Sequence, residues 1–183
     1  MICRFLNPIL IPVIKIFYKL KIQGEENIPP SGGTILLGDQ MNPFTALATE
    51  MALRRKVFWA VSPSICQPKL LRFFLKIFWR CFSLNPELPD IRGFRYAFNV
   101  LRKSGLLAFY PGGINQGIAL FCLRAGCNIL PMVITQEALS RQRIKIAFGP
   151  VYNLNKYQGI IVDVKVIKEV IQIINQTMEQ LKQ

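Results

Sequence analysis

The sequence predicts one α/β domain with a mostly parallel central sheet that is flanked by helices. Three observations predict this fold class. Short apolar segments alternate along the chain with longer segments of helical periodicity. The length of 183 residues corresponds to one ordinary domain. The content of 51% hydrophobic and 18% charged residues supplies a sizeable core and excludes a disordered chain.

The N-terminal residues predict an amphipathic helix at a membrane interface. Residues 8–20 place Lys15 and Lys19 one helical turn apart among apolar side chains. We therefore divide the chain into an N-terminal interface helix, residues 1–22, and an α/β domain, residues 23–183.

The remaining elements follow from apolar runs, helical spacing and turn residues. The predicted strands are 34–37, 57–61, 106–110, 129–134 and 143–148. The predicted helices are 43–55, 68–82, 91–103, 115–125 and a last helix that Asp163 caps. Pro131 within an apolar run predicts an edge strand or a β-bulge at that position.

The segment 68–82 predicts a helix suited to a membrane surface. Its cations recur every three or four positions and form one stripe, and apolar side chains cover most of the remaining surface. A core-packing helix with a solvated basic face explains the same pattern, and the sequence leaves both open. The residues expected to bind the membrane are Lys15, Lys19, Lys69, Arg72, Phe73, Lys76, Trp79 and Arg80.

The charge balance indicates an anionic partner. Lys and Arg number 23 against 10 acids, so the formal net charge is +13. Nucleic acid and anionic lipid are the usual partners of such a surface, and the apolar excess favours lipid. No apolar run reaches the roughly 20 residues that a membrane span requires. We therefore expect peripheral attachment to the cytoplasmic face of a membrane, with a membrane protein complex as a further possible partner and no specific nucleic acid.

The chain contains no histidine, and this narrows its chemistry. A Ser–His or Cys–His pair, a histidine base and a histidine-ligated metal are all excluded. The five cysteines show no Cys-x-x-Cys spacing, so we expect mostly buried, reduced thiols and no metal site. No feature of the sequence calls for a cofactor.

Several stretches occur in an order and spacing that resemble the glycerolipid acyltransferase family, of the lysophosphatidate acyltransferase kind. They are Gly24–Pro29 with Gly33–Leu37, then Asn42–Phe44, Leu107–Gly113, Gly117–Val133 and Arg143–Pro150. The resemblance implies acyl transfer from a thioester to the hydroxyl of a lysophospholipid. In the family a histidine is the general base and an aspartate orients it, while an arginine and a Glu-Gly motif bind substrate phosphate or order the site.

This chain departs from the family at each of those positions. Asp39 and Gln40 stand where Asn-His is expected, and Asn42 replaces the orienting aspartate after a shortened spacer. Asn85 stands where the phosphate-binding arginine is expected, and Gly112 replaces the glutamate. An amide does not titrate near neutral pH, so Gln40 cannot serve as a base. The resemblance therefore implies a catalytically silent member with degenerate motif positions.

Two other functions remain open from the sequence. An active acyltransferase is possible if Asp39 acts as a substitute base, although an acid in that position is typical of a turn cap. Charge-driven nucleic-acid binding lacks any recognised motif. The pocket that would hold lipid or substrate is assigned to Pro111, Gly112, Gly113 and Pro131, where a simple tight turn is the alternative for the first three.

Overall fold

A computed structural model describes residues 19–39, 43–53, 55–61, 80–84, 91–109, 114–136, 143–157, 159 and 162–182. Residues 68–79 of the predicted helix over 68–82 are not among the described residues. Residues 8–18 of the predicted helix over 8–20 are not among them either. No helix in these ranges is long and apolar enough to cross a membrane.

The described strands form one mixed sheet. They are β1 (Lys19–Gln23), β2 (Thr34–Gly38), β3 (Val57–Val61), β4 (Cys81–Ser83), β5 (Leu106–Phe109), β6 (Asn128–Gln136), β7 (Arg143–Phe148) and β8 (Tyr152–Asn153). Their spatial order is β1-β7-β6-β2-β5-β3-β4, and β8 also pairs with β6. Only the β6–β7 and β6–β8 pairs are antiparallel, so the predicted mostly parallel sheet is confirmed.

Helices cover both faces of the sheet. They are α1 (Pro43–Ala52), α2 (Ile91–Arg102), α3 (Gln116–Ala125) and α4 (Val164–Lys182), and two 3-10 turns lie at Glu25–Asn27 and Asn155–Tyr157. Because successive strand residues point to opposite faces, Ile35 and Leu37 pack with α2, α3 and α4, whereas Leu36 packs on the side of α1. The sheet is therefore buried on both sides, as parallel sheets are.

The boundaries of α3 follow from local sequence. The Asn115 side chain accepts a hydrogen bond from the Ile118 amide at 2.9 Å and caps the helix. Gly126 ends it in the left-handed conformation, with φ of 54°, and donates its N–H to the Cys122 carbonyl. The predicted helix over 115–125 is confirmed.

An aromatic cluster fixes α2 against α3. The Phe121 ring lies 4.9 Å from Phe98, 5.5 Å from Phe94 and 5.6 Å from Phe109, measured between ring centroids. These tilted contacts are the favourable geometry for aromatic pairs. They turn one side of α2 inward, and its opposite side faces solvent.

The first correction concerns the predicted N-terminal helix. Lys19 and Leu20 belong to β1, which pairs in parallel with β7 from Lys19–Arg143 to Gln23–Ala147. The predicted boundary between residues 22 and 23 therefore falls inside a strand of the sheet. The segment alternates polar and apolar residues, and Leu20 and Ile22 pack against the core beside α1. This period of two outweighs the four-residue lysine spacing that predicted a helix.

The second correction concerns the end of the predicted 68–82 helix. Cys81 and Phe82 belong to β4, which pairs with β3 from Trp59–Cys81 to Val61–Ser83. Arg80, which precedes the strand, has φ of 48° and so lies outside the right-handed helical region. It is half-buried, whereas the sequence placed it on a membrane-facing stripe.

The third correction concerns Pro131. Its strand, β6, is flanked by β2 on one side and by β7 and β8 on the other, so it is not an edge strand. The register against β2 is continuous from Asn128 to Met132, which leaves no room for a bulge there. On the other side the partner changes from β8 at Ile129 to β7 at Met132. Pro131 occupies that gap, where its missing N–H removes no strand pairing, and its carbonyl accepts the Gly149 N–H at 2.9 Å.

Candidate functional site

The candidate site lies at the carboxyl end of the parallel strands, where α/β sheets bind their ligands. Asp39 follows β2 directly and is partly buried. Its Oδ1 accepts a hydrogen bond from the Ile134 amide of β6 at 3.4 Å. Among the described residues, Asp39 is the only acid that directly follows a strand of this sheet. The contact adds a side-chain hydrogen bond between β2 and β6, whose backbones already pair from Thr34–Asn128 to Gly38–Met132.

A cation approaches the same carboxylate from the end of α4. The Lys182 ammonium lies 2.7 Å from Glu179 Oε1. The pKa of Lys182 is raised, first by this hydrogen bond and further by the charges of Glu179 and Asp39. The charge of Asp39 thus makes the smallest contribution to the raised pKa of Lys182, which lies at the surface of the molecule.

The neighbouring strand ends are lined with apolar side chains. Val61 ends β3, Leu84 follows β4 and Phe109 ends β5, and all three are buried. The Leu84 amide donates to the Val61 carbonyl at 2.9 Å, which closes this corner of the sheet. None of these three side chains can accept a proton or bind a phosphate.

The chain enters α3 almost immediately after β5. Ile114 is buried and the Asn115 side chain caps the helix, so the first polar side chain described after β5 serves α3 itself.

The other predicted site residues divide into two groups. Pro131 lies in β6 on the face that α4 covers. A Cβ added to Gly149 would lie 3.5 Å from the Cβ of Pro131. Lys19 lies in β1 and Arg80 precedes β4. The predicted positions outside the described residues are Lys15, Gln40, Asn42, Lys69, Arg72, Phe73, Lys76, Trp79, Asn85, Pro111, Gly112 and Gly113.

A partly buried acid that sequence analysis did not single out, Glu50, lies in α1. Glu50 Oε1 accepts the indole N–H of Trp59 at 3.0 Å, and Trp59 is fully buried in β3. Burial raises the pKa of Glu50 above its ordinary value of 4.5, while the Trp59 hydrogen bond and the charge of Arg80 act in the opposite direction. The detectable signal was a lone acid in a helix with no other charged residue.

Arg55 organises the opposite, amino-terminal edge of the sheet. Its Nη2 donates to the carbonyls of Gly32 at 2.6 Å and Ser104 at 2.8 Å. Its Nη1 donates to the Pro29 carbonyl at 2.8 Å and the Thr34 hydroxyl at 3.2 Å. The guanidinium thus joins three connecting segments, far from the strand ends that carry Asp39.

The described cysteines are structural in character. Cys81, Cys122 and Cys127 are buried. Burial raises the pKa of Cys127 to about 12 and that of Cys122 well above its usual range. Neither of these two thiols is a nucleophile near neutral pH. No three acids or cysteines in the described ranges are close enough together to hold a metal ion.

The outward side of α2 carries a basic groove. It has a volume of about 530 Å³, and its lining residues are Arg92, Arg95, Tyr96, Phe98, Asn99 and Arg102. A smaller, mainly apolar cavity of about 210 Å³ lies between β8, the second 3-10 turn and α4, with Tyr152, Tyr157 and Ile174 among its lining residues. Neither cavity is lined by Asp39 or Pro131.

The mostly parallel sheet and the helices on both of its faces are those of an acyltransferase-like fold. The crystal structure of the 1-acyl-sn-glycerophosphate (LPA) acyltransferase PlsC from Thermotoga maritima is similar to this chain, with a TM-score of 0.66 and 12% identity. The match covers 98% of this chain and 79% of that one. No protein-family model matches the sequence, and no curated protein matches it. The predicted relationship to the acyltransferase fold is confirmed, and the low identity agrees with a divergent chain.

Proposed function

We propose that this protein is a catalytically silent acyltransferase-fold protein that attaches peripherally to the cytoplasmic face of a membrane. There it binds acyl chains or docks onto a membrane protein complex. One observation carries the proposal: the chain has the acyltransferase fold, yet glutamine stands at the position of the base and the whole sequence contains no histidine.

The missing base is the first step of the argument. An alcohol attacks a thioester efficiently only when a positioned group takes its proton. Gln40 cannot do this, because an amide is neutral and does not accept a proton near neutral pH. Loss of a general base typically lowers a rate by roughly 10²–10⁴-fold. The substitutions at Asn42, Asn85 and Gly112 remove the orienting and phosphate-binding groups as well.

The contacts of Asp39 support the same conclusion. This carboxylate is the acid nearest in sequence to the lost histidine, and one of its oxygens is engaged by the Ile134 amide. A general base must present a lone pair to the substrate hydroxyl at hydrogen-bond distance. Because the Ile134 amide engages Oδ1, that oxygen is less available to a substrate hydroxyl than an unbonded carboxylate oxygen would be.

The competing function is an active acyltransferase that uses Asp39 as its base. Its support is the location of Asp39 at the carboxyl end of a parallel strand, where catalytic groups of α/β proteins are found. It requires that the second carboxylate oxygen take a proton from the substrate. An acyl-transfer assay separates the two functions.

The membrane part of the proposal rests on charge. A net charge of +13 on a chain of 183 residues attracts it to anionic lipid. Each Lys or Arg near an anionic surface contributes about 1 kcal/mol, so a few such residues give firm attachment that weakens with salt.

Vesicle flotation tests the attachment. The full chain is mixed with vesicles of phosphatidylcholine alone or with about 30% phosphatidylglycerol, and the floated fraction is measured at low and high salt. We expect recovery with the anionic vesicles that falls as salt rises. Equal recovery with both vesicle types, or no recovery with either, contradicts the proposal. If the anionic vesicles recover the protein, purification from native membranes identifies the lipids and proteins that co-isolate with it.

A further inference from the structure

We infer that the outward face of α2 is the surface that contacts an anionic phospholipid bilayer. We call it the α2 face and define it by Ile91, Arg92, Arg95, Tyr96, Asn99 and Arg102. The inference rests on the proposed membrane attachment and names the residues responsible for it. None of them is among the residues that the sequence pattern assigned to membrane binding.

The geometry of α2 places these residues on one side. At 3.6 residues per turn they fall within one continuous arc of the helix. The opposite arc, with Gly93, Ala97, Val100 and Leu101, is buried against the sheet and α3. The fold therefore holds the α2 face rigidly outward.

The cations of this face have no acidic partner among the described residues. Residues 91–105 contain four cations, Arg92, Arg95, Arg102 and Lys103, and no acid. All four are exposed. The only ion pair between described residues joins Glu179 and Lys182, so the three guanidinium groups of the α2 face have no acidic partner in the described part of the chain. Their groove of about 530 Å³ is open to an external anion.

Apolar and aromatic side chains on the same face favour lipid over other polyanions. Ile91 is 69% exposed and Tyr96 is 44% exposed, while the Tyr96 ring packs edge-on against Phe82 with centroids 4.7 Å apart. Tyrosine and arginine suit the headgroup region, where an apolar body meets a charged layer. Nucleic-acid interfaces are more polar, and a stable protein interface needs a larger apolar centre than two side chains.

The mode of contact follows from what α2 already buries. Its apolar side belongs to the protein core, so the helix rests on the headgroups and does not insert into the acyl region. The cations then provide most of the attraction, and binding to this face decreases as salt rises.

Flotation of a matched pair of variants tests the inference. Arg92→Gln, Arg95→Gln and Arg102→Gln together remove three charges from the α2 face. Lys56→Gln, Lys165→Gln and Lys168→Gln remove three exposed charges elsewhere, and leave the α2 face intact. Since each cation near the surface contributes about fivefold, we expect roughly 100-fold weaker partitioning for the first set and a small change for the second.

A charge-conserving variant keeps the test valid if the first set is poorly folded. Arg92→Lys, Arg95→Lys and Arg102→Lys retain the attraction to phosphates, so we expect binding close to that of wild type. Circular dichroism and urea unfolding establish that each variant has the wild-type fold before partitioning is compared.

The possible outcomes separate this inference from the proposed function. If both triple glutamine variants weaken vesicle binding equally, the assignment of the α2 face is wrong. Membrane attachment itself is then unaffected. The assignment is also wrong if the triple arginine-to-glutamine variant loses affinity for duplex DNA but not for vesicles. Failure of the wild type to float overturns membrane attachment and the inference with it. If the wild type binds vesicles through the α2 face and also forms ester, only the proposed catalytic silence is wrong.

Discussion

Asp39 joins β2 to β6, because its Oδ1 lies 3.4 Å from the backbone nitrogen of Ile134. The contact links the carboxyl end of β2 to its neighbour in the sheet. It assigns to Asp39 a structural function that an amide can also perform.

Substitution of Asp39 tests that assignment. Asp39→Ala removes the acceptor for the Ile134 amide, and we expect the free energy of unfolding to fall by about 1 kcal/mol. Asp39→Asn keeps an oxygen that can accept the same hydrogen bond, so its unfolding free energy stays within about 0.5 kcal/mol of wild type. Urea denaturation measures both. A larger loss for Asn than for Ala would contradict the structural function.

The raised pKa of Glu50 predicts a pH dependence of stability. Well below the ordinary value of 4.5, the carboxyl is protonated in both the folded and unfolded chains. As pH rises above 4.5 the unfolded chain releases this proton first, so the contribution of Glu50 to stability falls and then levels off above the raised pKa. Glu50→Gln removes the titration and keeps an acceptor for Trp59.

The difference in unfolding free energy between Glu50→Gln and wild type therefore shifts in favour of the variant with rising pH. Urea denaturation of both proteins between about pH 4 and pH 8 measures it. A difference that is constant across this range, or that shifts toward wild type, would show that the folded chain does not favour the protonated form.

Arg55 supports a stability prediction with an adjacent control. Arg55→Ala leaves four acceptors without their donor, and we expect a loss of about 3 kcal/mol in the free energy of unfolding. Arg55→Lys recovers only part of this loss, because an ammonium lacks the planar, forked donor geometry of a guanidinium. Lys56→Gln next to it changes an exposed side chain and stays within about 0.5 kcal/mol of wild type. Equal effects at the two positions would refute the assigned contacts.

Two glycines allow the cost of a left-handed backbone to be measured apart from the cost of a steric clash. Gly24 and Gly159 both have left-handed φ, of 73° and 79°. A Cβ on Gly24 would overlap the Phe148 carbonyl oxygen, whereas one on Gly159 would meet no atom of the described residues within 4 Å. We expect Gly159→Ala to cost about 1 kcal/mol, and Gly24→Ala roughly 3 kcal/mol or more because the backbone must move. Thermal unfolding ranks the two, and a reversed order would mean that Gly24 does not pack as described.

The parts of the fold that sequence analysis predicted are those with strong local patterns. The strands containing Ile35, Trp59 and Leu107 are apolar runs buried on both faces, which is typical of parallel strands. The helix over 164–182 has a clear apolar period, and α3 has recognisable residues at both ends. Local chemistry was sufficient to identify these elements.

The errors arose where tertiary contacts decide between similar patterns. Lys19 and Leu20 satisfy a helical spacing and a strand alternation equally well, and pairing with β7 selects the strand. Cys81 and Phe82 continue an apolar segment, and only pairing with β3 separates them from it. Pro131 is tolerated inside the sheet because β7 and β8 leave a gap opposite it, which no local pattern shows.

The candidate site shows the same division. The absence of histidine and the presence of glutamine at position 40 are properties of the sequence and needed no structure. The contact between Asp39 and Ile134 spans 95 positions of the chain, so sequence alone could not reveal it. The Glu50–Trp59 pair and the Arg55 contacts likewise depend on elements that meet only in the folded sheet.

An acyl-transfer assay with an acyl thioester and lysophosphatidate tests the central claim most directly. Wild type and Asp39→Asn are compared with a reaction that contains no protein, and the ester product is quantified. The absence of a group able to take the hydroxyl proton predicts that all three give the same background rate. Many turnovers by wild type that Asp39→Asn abolishes would contradict the claim and establish Asp39 as the base.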